Sequence, residues 1–337
     1  MNLWHLFATL SVSFAGDRKS NYNDHRHSKS LGIRGASTGV LKNLDHMVIV
    51  GELIKTRIGI MDILKKLGEG SYGAVFEAFW KAGRRNVAFK VEKPPEASIY
   101  EKNSIVPRDY SRITYEYRMM ERLNNTYGFP LVYTANMDGK YKFYAMQKLG
   151  KSLSKLRKDA GGRLRTRQVI DLAGQILERL EVLHRRGILM YDLHEGNFLL
   201  HRNKLYVIDL GMAFPYIIAG KHVSEGASFI PPDYKNHVFA SRRDSKGQMV
   251  SRRDELERFL YLIVMLNVGS LPWDKHEKRS DRIKHKLEAS LSEVCHDEAA
   301  WLRPAFEYVD SMKFQEEPNY EFFRMLFQSR LKQIKQR

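Results

Sequence analysis

The amino-acid sequence predicts an α+β protein with two lobes, a small antiparallel β lobe carrying one main helix and a larger, mostly helical lobe. Short apolar stretches joined by hairpin-type turns occupy residues 55–147. Stretches with helical periodicity dominate residues 150–335. A sheet lobe followed by a helical lobe predicts a cleft between the two, which is a common place for a binding site.

The first lobe is predicted to be a meander of strands rather than a series of βαβ units. Its apolar segments are short, and a polar, glycine-containing turn separates the second and third of them. Strands are expected at residues 62–67, 74–80, 87–92, 131–134 and 140–147. A helix is expected at residues 112–124, between the third and fourth strands.

The second lobe contains a clear helical pattern at residues 166–186. Apolar residues recur there at intervals that place them on one face of a helix. These residues are Val169, Ile170, Ala173, Ile176, Leu177, Leu180 and Leu183. We expect this face to be buried against the rest of the lobe.

The composition fits a folded two-lobed domain with a basic surface. Of 337 residues, 43% are hydrophobic and 11% aromatic, which argues against global disorder. Lysine and arginine number 56 against 39 acidic residues, so the formal net charge is +17. This charge favours acidic partners, including nucleic acid, anionic membranes and acidic or phosphorylated proteins, without choosing among them. The single cysteine, Cys295, excludes an intrachain disulfide and is expected to be a buried thiol.

Residues 1–50 are predicted to be an N-terminal extension, disordered for the most part, that precedes one domain at residues 55–335. Residues 1–15 form a short apolar run ending in small residues, as in a secretory signal peptide, but no basic residues precede the run. A signal peptide, a transit segment and a spurious upstream exon all stay open. We expect a cytoplasmic or nuclear protein, or a secreted one if the signal is genuine. No later stretch reaches the ~20 apolar residues of a membrane helix.

Three glycines follow the first predicted strand. Gly68, Gly70 and Gly73 have the G-x-G-x-x-G spacing, and a strand containing Val75 comes next. A dinucleotide-binding loop would continue into a helix, whereas a strand is typical of the glycine-rich loop of protein kinases. Glycine suits such a loop because backbone N–H groups without neighbouring Cβ atoms can approach nucleotide phosphates. The pattern is weak evidence when it stands alone.

The next two candidates are a lysine and a glutamate in the first lobe. Lys90 ends the sequence Val-Ala-Phe-Lys one hairpin after the glycines, where a kinase places the lysine that holds the ATP phosphates. Glu116, on the predicted helix, is the candidate that orients this lysine. Taken alone, either residue could be an ordinary surface charge. The order and spacing of the motifs favour the functional interpretation.

The second lobe supplies three further polar candidates. Asp192 and Asn197 lie in the sequence YDLHEGN, and Asp209 lies in VIDLG. In a kinase, Asp192 would orient the substrate hydroxyl and accept its proton. Asn197 and Asp209 would bind Mg²⁺, which prefers hard oxygen ligands. The alternative is a capping amide and a turn residue before glycine, and the surrounding motifs argue against it.

Five longer stretches, together with these motifs, resemble the casein kinase 1 family of Ser/Thr protein kinases. They lie at residues 149–153 (LGKSL), 197–200 (NFLL), 239–257 (FAS to SRRDELE), 267–273 (NVGSLPW) and 306–327. Ala-Ser in the third stretch replaces the Ala-Pro-Glu of other kinases, a replacement that is specific to this family. The resemblance covers residues 55–335 and implies a two-lobed kinase fold, ATP and Mg²⁺ as cofactors, and proteins as substrates.

The resemblance also assigns residues around the adenine of ATP and around the catalytic loop. The adenine would lie among Leu67, Val75, Ala88, Met146, Leu149, Leu199 and Ile208. Met146 would be the gatekeeper of this pocket. Most of these side chains are typical of an apolar core, so ordinary packing is the alternative. Asp254 resembles the buried helix aspartate that tethers the catalytic loop of kinases.

The sequence departs from the family in the catalytic loop. The usual His-Arg-Asp reads Met190-Tyr191-Asp192, and Tyr191 cannot supply the charge of the arginine. Control through a phosphorylated activation loop is therefore not expected. His194 replaces a lysine that stabilises charge on the transferred phosphoryl group. A protonated imidazole beside Asp192 would restore part of that charge.

Members of this family also recognise acidic or phosphorylated substrates through a basic pocket. Lys284 stands where one pocket lysine is expected, whereas Val238 replaces the pocket arginine. Arg242, Arg243 and Lys275 would either compensate or be solvated charges. A requirement for phosphorylated substrates therefore stays open, because cations bind phosphate well only when they converge.

Three functions compete at this point. The first is an active, monomeric Ser/Thr protein kinase, which the set Lys90, Glu116, Asp192, Asn197 and Asp209 favours. The second is a pseudokinase scaffold that binds nucleotide or protein, which the two catalytic-loop departures favour. The third, nucleic-acid binding through the basic surface, is not expected because no recognisable binding module is present.

Overall fold

The computed structural model of the protein describes residues 48–70, 73–92, 111–138, 141–226 and 238–336. The predicted signal segment and nearly all of the predicted N-terminal extension lie outside these residues. Within the described part of the chain, no helix is long and apolar enough to cross a membrane.

The first lobe is built on one six-stranded antiparallel sheet with strand order β1-β2-β3-β4-β6-β5. The strands are β1 Leu53–Thr56, β2 Gly59–Glu69, β3 Gly73–Trp80, β4 Arg85–Glu92, β5 Val132–Asn136 and β6 Phe143–Gln147. The face of the sheet opposite to Lys90 is apolar, and its Phe89 and Phe143 rings stack with centroids 4.4 Å apart. Strand β1 was not predicted, and it pairs with β2 along the edge of the sheet.

Helix α1, Arg112–Arg122, packs beside this sheet. The Ser111 hydroxyl caps the helix by accepting the backbone N–H of Thr114, and it donates to Glu92 at the end of β4 at 2.8 Å. A hydroxyl cap satisfies one of the free N–H groups of the first turn. The cap therefore anchors the start of α1 to the strand that carries Lys90.

The second lobe is mostly helical. Its helices are α2 Leu153–Asp159, α3 Thr166–Arg185, α4 Arg242–Ser245, α5 Arg252–Val268, α6 Arg279–Glu288, α7 Leu291–Val294, α8 Arg303–Ser311 and α9 Tyr320–Lys335. Short strands complete it: β7 Ile188–Leu189, β8 Phe198–His201, β9 Lys204–Val207, β10 Phe214–Pro215, β11 Ile217–Ile218 and β12 Lys221–His222. Helix α5 is the centre of the lobe, because nearly all of its residues are buried, including every charged residue from Arg253 to Arg258. The two-lobed α+β fold is confirmed.

Helix α3 follows the predicted pattern closely. It ends one residue before the expected 166–186, and all seven residues of the predicted apolar face are buried. The predicted burial of Cys295 is also confirmed, and burial raises the pKa of its thiol to about 12. Strands β5 and β6 begin later than predicted, at Val132 and Phe143.

Candidate active site

One edge of the cleft lies where β2 ends and β3 begins. The backbone N–H of Gly70 donates to the carbonyl of Gly73 at 2.8 Å. A Cβ atom on Gly73 would lie only 2.4 Å from the carbonyl oxygen of Val91, so only glycine fits where β3 pairs with β4. The third glycine of the motif is therefore required by strand packing as well as by access to the cleft.

Lys90 and Glu116 meet at the back of the cleft. The Lys90 Nζ atom lies 2.7 Å from Glu116 Oε1 and 3.2 Å from Asp209 Oδ2. The hydroxyl of Tyr144 on β6 also donates to Glu116 Oε1 at 2.7 Å. Strand β4 presents Lys90 to the cleft, and helix α1 brings Glu116 to it from the side.

The charges of this group are strongly coupled. Burial alone lowers the pKa of Lys90, but the carboxylates of Asp209 and Glu116 more than offset this and raise it above its usual value. Loss of solvent raises the pKa of Asp209, yet the Lys90 ammonium and the N–H of Gly211 hold it below the usual value. Burial raises the pKa of Glu116 to about 7, because Lys90 offsets only part of the desolvation.

A hairpin brings Asn197 and Asp209 together from separate parts of the sequence. Strands β8 and β9 pair with Phe198 opposite Val207, and the N–H of Ile208 donates to the carbonyl of Asn197 at 2.9 Å. The amide nitrogen of Asn197 donates to the carbonyl of Asp192 at 3.0 Å, which leaves its amide oxygen available as a ligand. Asp209 has φ +59°, a conformation that is uncommon for a residue with a side chain.

His194 lies beside Asp192, the candidate base. Its Nε2 atom lies 3.6 Å from Asp192 Oδ2, and its Nδ1 atom accepts the backbone N–H of Gly196 at 3.0 Å. Because Nδ1 acts as an acceptor, the neutral ring carries its proton on Nε2, facing Asp192. Burial lowers the pKa of His194, but Asp192 and the more distant Asp209 and Glu195 raise it above its usual value.

All sixteen residues predicted for the site line one cavity of about 700 Å³ between the lobes. They are Leu67, Gly68, Gly70, Gly73, Val75, Ala88, Lys90, Glu116, Met146, Leu149, Asp192, His194, Asn197, Leu199, Ile208 and Asp209. The cavity size is within the range of small-molecule sites. Leu67 is 45% exposed and lies at the mouth, while Ala88 and Met146 are buried. The individual roles of these residues stay predictions.

The residues around the cavity fit a nucleotide and a hard divalent cation. Its walls are apolar at Val75, Ala88 and Ile208. At its edge Gly150 allows close backbone approach, because a Cβ atom there would lie 2.6 Å from the carbonyl of Leu200. Asn197 and Asp209 offer the oxygen ligands that Mg²⁺ prefers. The donor set and the cavity are therefore compatible with the ATP and Mg²⁺ that the sequence predicts.

The prediction for Asp254 is wrong. Its carboxylate accepts the N–H of Ser251 at 2.9 Å and the hydroxyl of Ser241 at 2.9 Å, so it caps its own helix. The neighbouring Glu255 instead accepts the N–H of Tyr191 at 2.7 Å and bonds His184 Nε2 at 2.8 Å. Adjacent helix residues point about 100° apart, so the one-residue difference decides which acid reaches the catalytic loop.

None of the predicted substrate cations lines the cavity. Lys284 on α6 and Lys275 are exposed. Arg242 Nε lies 3.2 Å from Glu257 Oε1, and Arg243 Nη2 lies 3.6 Å from Asp310 Oδ1. Both arginines are partly buried and pair with carboxylates, so their charges are at least partly neutralised within the helical lobe.

Two contacts near the site were not predicted. Arg157 on α2 makes a bidentate ion pair with Glu195 of the catalytic loop, at 2.7 and 2.9 Å. Tyr144 fixes Glu116, as described above. An alternating strand pattern could have placed Tyr144 on the face of the sheet that carries Lys90, its partner across the strands. Nothing in the sequence pairs Arg157 with Glu195.

The chain is similar to known proteins over most of its length. The protein kinase domain family matches residues 61–234. Casein kinase I homolog 2 of Schizosaccharomyces pombe is 29% identical over 291 residues, which cover 78% of this chain and 60% of the relative. Casein kinase I homolog 3 of the same yeast is 28% identical over 308 residues, 86% of this chain and 64% of the relative. The chain therefore spans less than two thirds of the length of either relative.

Proposed function

The chain belongs to the protein kinase family, and on that premise we propose that it transfers the γ-phosphate of ATP to serine and threonine hydroxyls of other proteins. Its similarity to two casein kinase I proteins confirms the family resemblance seen in the motifs. The observation that best supports the proposal is the convergence of Lys90, Glu116, Asp192, Asn197 and Asp209 on one cavity. Their charges and distances match the needs of phosphoryl transfer.

Each residue has a distinct task in this proposal. Glu116 holds Lys90, which neutralises charge on the nucleotide phosphates. Asn197 and Asp209 would hold Mg²⁺, which would supply further neutralising charge to the phosphates. Asp192 orients the substrate hydroxyl and takes its proton as the new oxygen–phosphorus bond forms and the bond to the β-phosphate oxygen breaks.

The scaffold alternative receives no support from the comparisons. Its two motivating residues are both part of ordered contacts, because His194 faces Asp192 and Tyr191 is buried against helix α5. Neither replacement removes a predicted metal ligand, and a protonated His194 would restore part of the charge of the lysine that it replaces. Measurement of phosphate transfer from ATP tests this alternative.

The decisive experiment is phosphate transfer to casein from ATP–Mg²⁺ by the purified chain. We expect transfer by the wild type and a loss on the order of 10²–10⁴-fold in Asp192→Asn. Asp209→Ala should abolish transfer by removing a metal ligand. A wild type that binds nucleotide without transferring phosphate would overturn the proposal, as would two variants with wild-type rates.

Substrate choice and assembly are further parts of the proposal. We expect acidic protein substrates, with the exposed Lys284 as one contact. Lys284→Ala should raise KM for an acidic peptide but not for a neutral one of the same length. We also expect a monomer, which light scattering on the purified chain measures.

A further inference from the structure

The residue before the candidate base has a strained backbone. Tyr191 has φ +63°, and the N–H of Asp192 donates to the carbonyl of Met190 at 2.8 Å across it. Such a tight turn at a residue with a large side chain is unfavourable and persists only where the surroundings enforce it. Whatever holds Tyr191 therefore sets the position of Asp192.

Three charged residues from the helical lobe hold Tyr191. Glu255 accepts its N–H at 2.7 Å, and Arg258 donates from Nη1 to its carbonyl. The guanidinium carbon of Arg258 also lies 4.3 Å from the centre of the Tyr191 ring. The second nitrogen of Arg258 bonds Asp244, which in turn accepts the Tyr191 hydroxyl at 3.3 Å.

We propose that Arg258 and Asp244 are positioning residues for phosphoryl transfer, acting on Asp192 through Tyr191. The proposal rests on the kinase function above. Tyr191 replaces the arginine that the resemblance predicts in the catalytic loop. In this chain a guanidinium group reaches the loop from Arg258 on helix α5 instead. Arginine suits this task because its planar fork bonds the carbonyl and Asp244 while its face stacks on the ring, which lysine cannot reproduce.

The same helix contains a matched control. Arg253 is also buried, donates from Nη1 to the carbonyl of Met312 at 3.2 Å and bonds Glu225 at 2.6 Å. Its guanidinium carbon lies 5.5 Å from the centre of the Phe314 ring. The types of contact are those of Arg258, but none of these partners is in the catalytic loop. Substitution of Arg253 thus reports how far the loss of buried arginine contacts alone changes stability and kcat, because Tyr191 keeps its own contacts.

The first test compares Arg258→Lys with Arg253→Lys. We expect Arg258→Lys to lower kcat on the order of 10–100-fold with KM for ATP within about two-fold, because misplacing a catalytic group affects turnover. Arg253→Lys should change kcat by less than about three-fold, although both variants melt at lower temperature. Equal kcat for the two variants overturns the proposal.

A second variant separates positioning from folding. Arg258→Met with Asp244→Leu removes both charges, and exchange of a buried ion pair for apolar residues is often tolerated. We expect a melting temperature close to that of the wild type together with the low kcat of Arg258→Lys. A double variant with wild-type kcat would show that the pair only stabilises the fold.

Amide hydrogen exchange provides a readout that does not depend on activity. In Arg258→Lys, peptides covering residues 190–197 should exchange faster than in the wild type and in Arg253→Lys. Unchanged exchange in those peptides overturns the positioning role even if the wild type proves inactive. A wild type without transfer but with faster exchange in Arg258→Lys would instead refute the kinase proposal alone.

Discussion

The sheet lobe and the helical lobe surround their buried charges with different groups, as one lysine in each lobe shows. Lys90, on the sheet side, lies between the carboxylates of Glu116 and Asp209, which raise its pKa. Lys286, on the helical side, donates to the carbonyl of Ala240 at 2.7 Å and lies over aromatic rings. Burial and the nearby Arg258 lower its pKa to about 7.

The difference separates charges that act on a ligand from charges that hold the fold. The Lys90 group lines the cavity, so its pairing is open to exchange with phosphate and metal. The helical side instead buries Glu257 and Lys286 away from the cavity, almost without solvent. We therefore expect substitutions in the Lys90 group to affect activity first and substitutions of Glu257 or Lys286 to affect stability first.

The largest effect is expected from Lys90→Met. Transfer should fall about 10³-fold, or roughly 4 kcal/mol of transition-state stabilisation, because the phosphates lose their cation. Stability should change little, since Glu116 has a pKa raised to about 7 and can take up a proton when Lys90 is absent. Kinase assays and thermal melts check both statements, and a large drop in melting temperature would contradict the comparison.

Glu257→Ala tests the helical side and should cost about 4 kcal/mol of stability. Glu257 is 1% exposed and accepts the N–H of Arg242 at 2.9 Å and the hydroxyl of Tyr261 at 2.6 Å, so its removal leaves buried donors unpaired. Asp310→Ala is the control, because Asp310 pairs with the same arginines but its side chain is 50% exposed. Asp310→Ala should lower the free energy of unfolding by less than ~1 kcal/mol. Urea unfolding measures both, and equal costs would contradict the prediction.

Lys286 should make stability depend on pH in a predictable direction. Its folded pKa of about 7 lies below that of the unfolded chain, so the unfolded state binds more protons between pH 7 and 10. Stability therefore rises with pH in that window. Between pH 7 and 9 the wild type should gain about 2 kcal/mol relative to Lys286→Met. Denaturant unfolding at the two pH values tests this, with the exposed Lys284→Met as the control for a lost charge.

The smallest effect is expected at His194. The pKa of His194 is raised by Asp192, so the ring is charged below that pKa and loses its charge as pH rises through it. His194→Lys keeps its charge above pH 7 and should raise kcat about ten-fold there, roughly 1.4 kcal/mol. The pH–rate profiles of the two proteins should converge at lower pH. Parallel profiles at every pH would mean that the His194 charge does not act on transfer.

The sequence predicted much of the fold because its signals are local. The apolar face of helix α3 and the strands around Lys90 follow from periodicity, which short-range geometry imposes on any helix or strand. The three glycines, Lys90, Glu116, Asp192, Asn197 and Asp209 were found because they lie in motifs of fixed order and spacing. The seven adenine-lining residues and the place of His194 followed from the resemblance to the casein kinase 1 family, and all sixteen line one cavity. The boundary of the domain near residue 50 stays a prediction.

Only the tertiary structure decided how the catalytic loop is held. The choice of Glu255 over Asp254 depends on the rotation of α5 against the loop. Arg258 reaches Tyr191 across 67 positions of sequence. Asp310 reaches Arg242 across 68 positions. Ion pairs and hydrogen bonds depend on distance in space. The sequence of a helix does not show whether its charged residues face solvent or pair with one another, so these contacts could not be predicted. The sequence by itself thus determined which residues line the cavity, and the packing of the helical lobe determined which residues contact the catalytic loop.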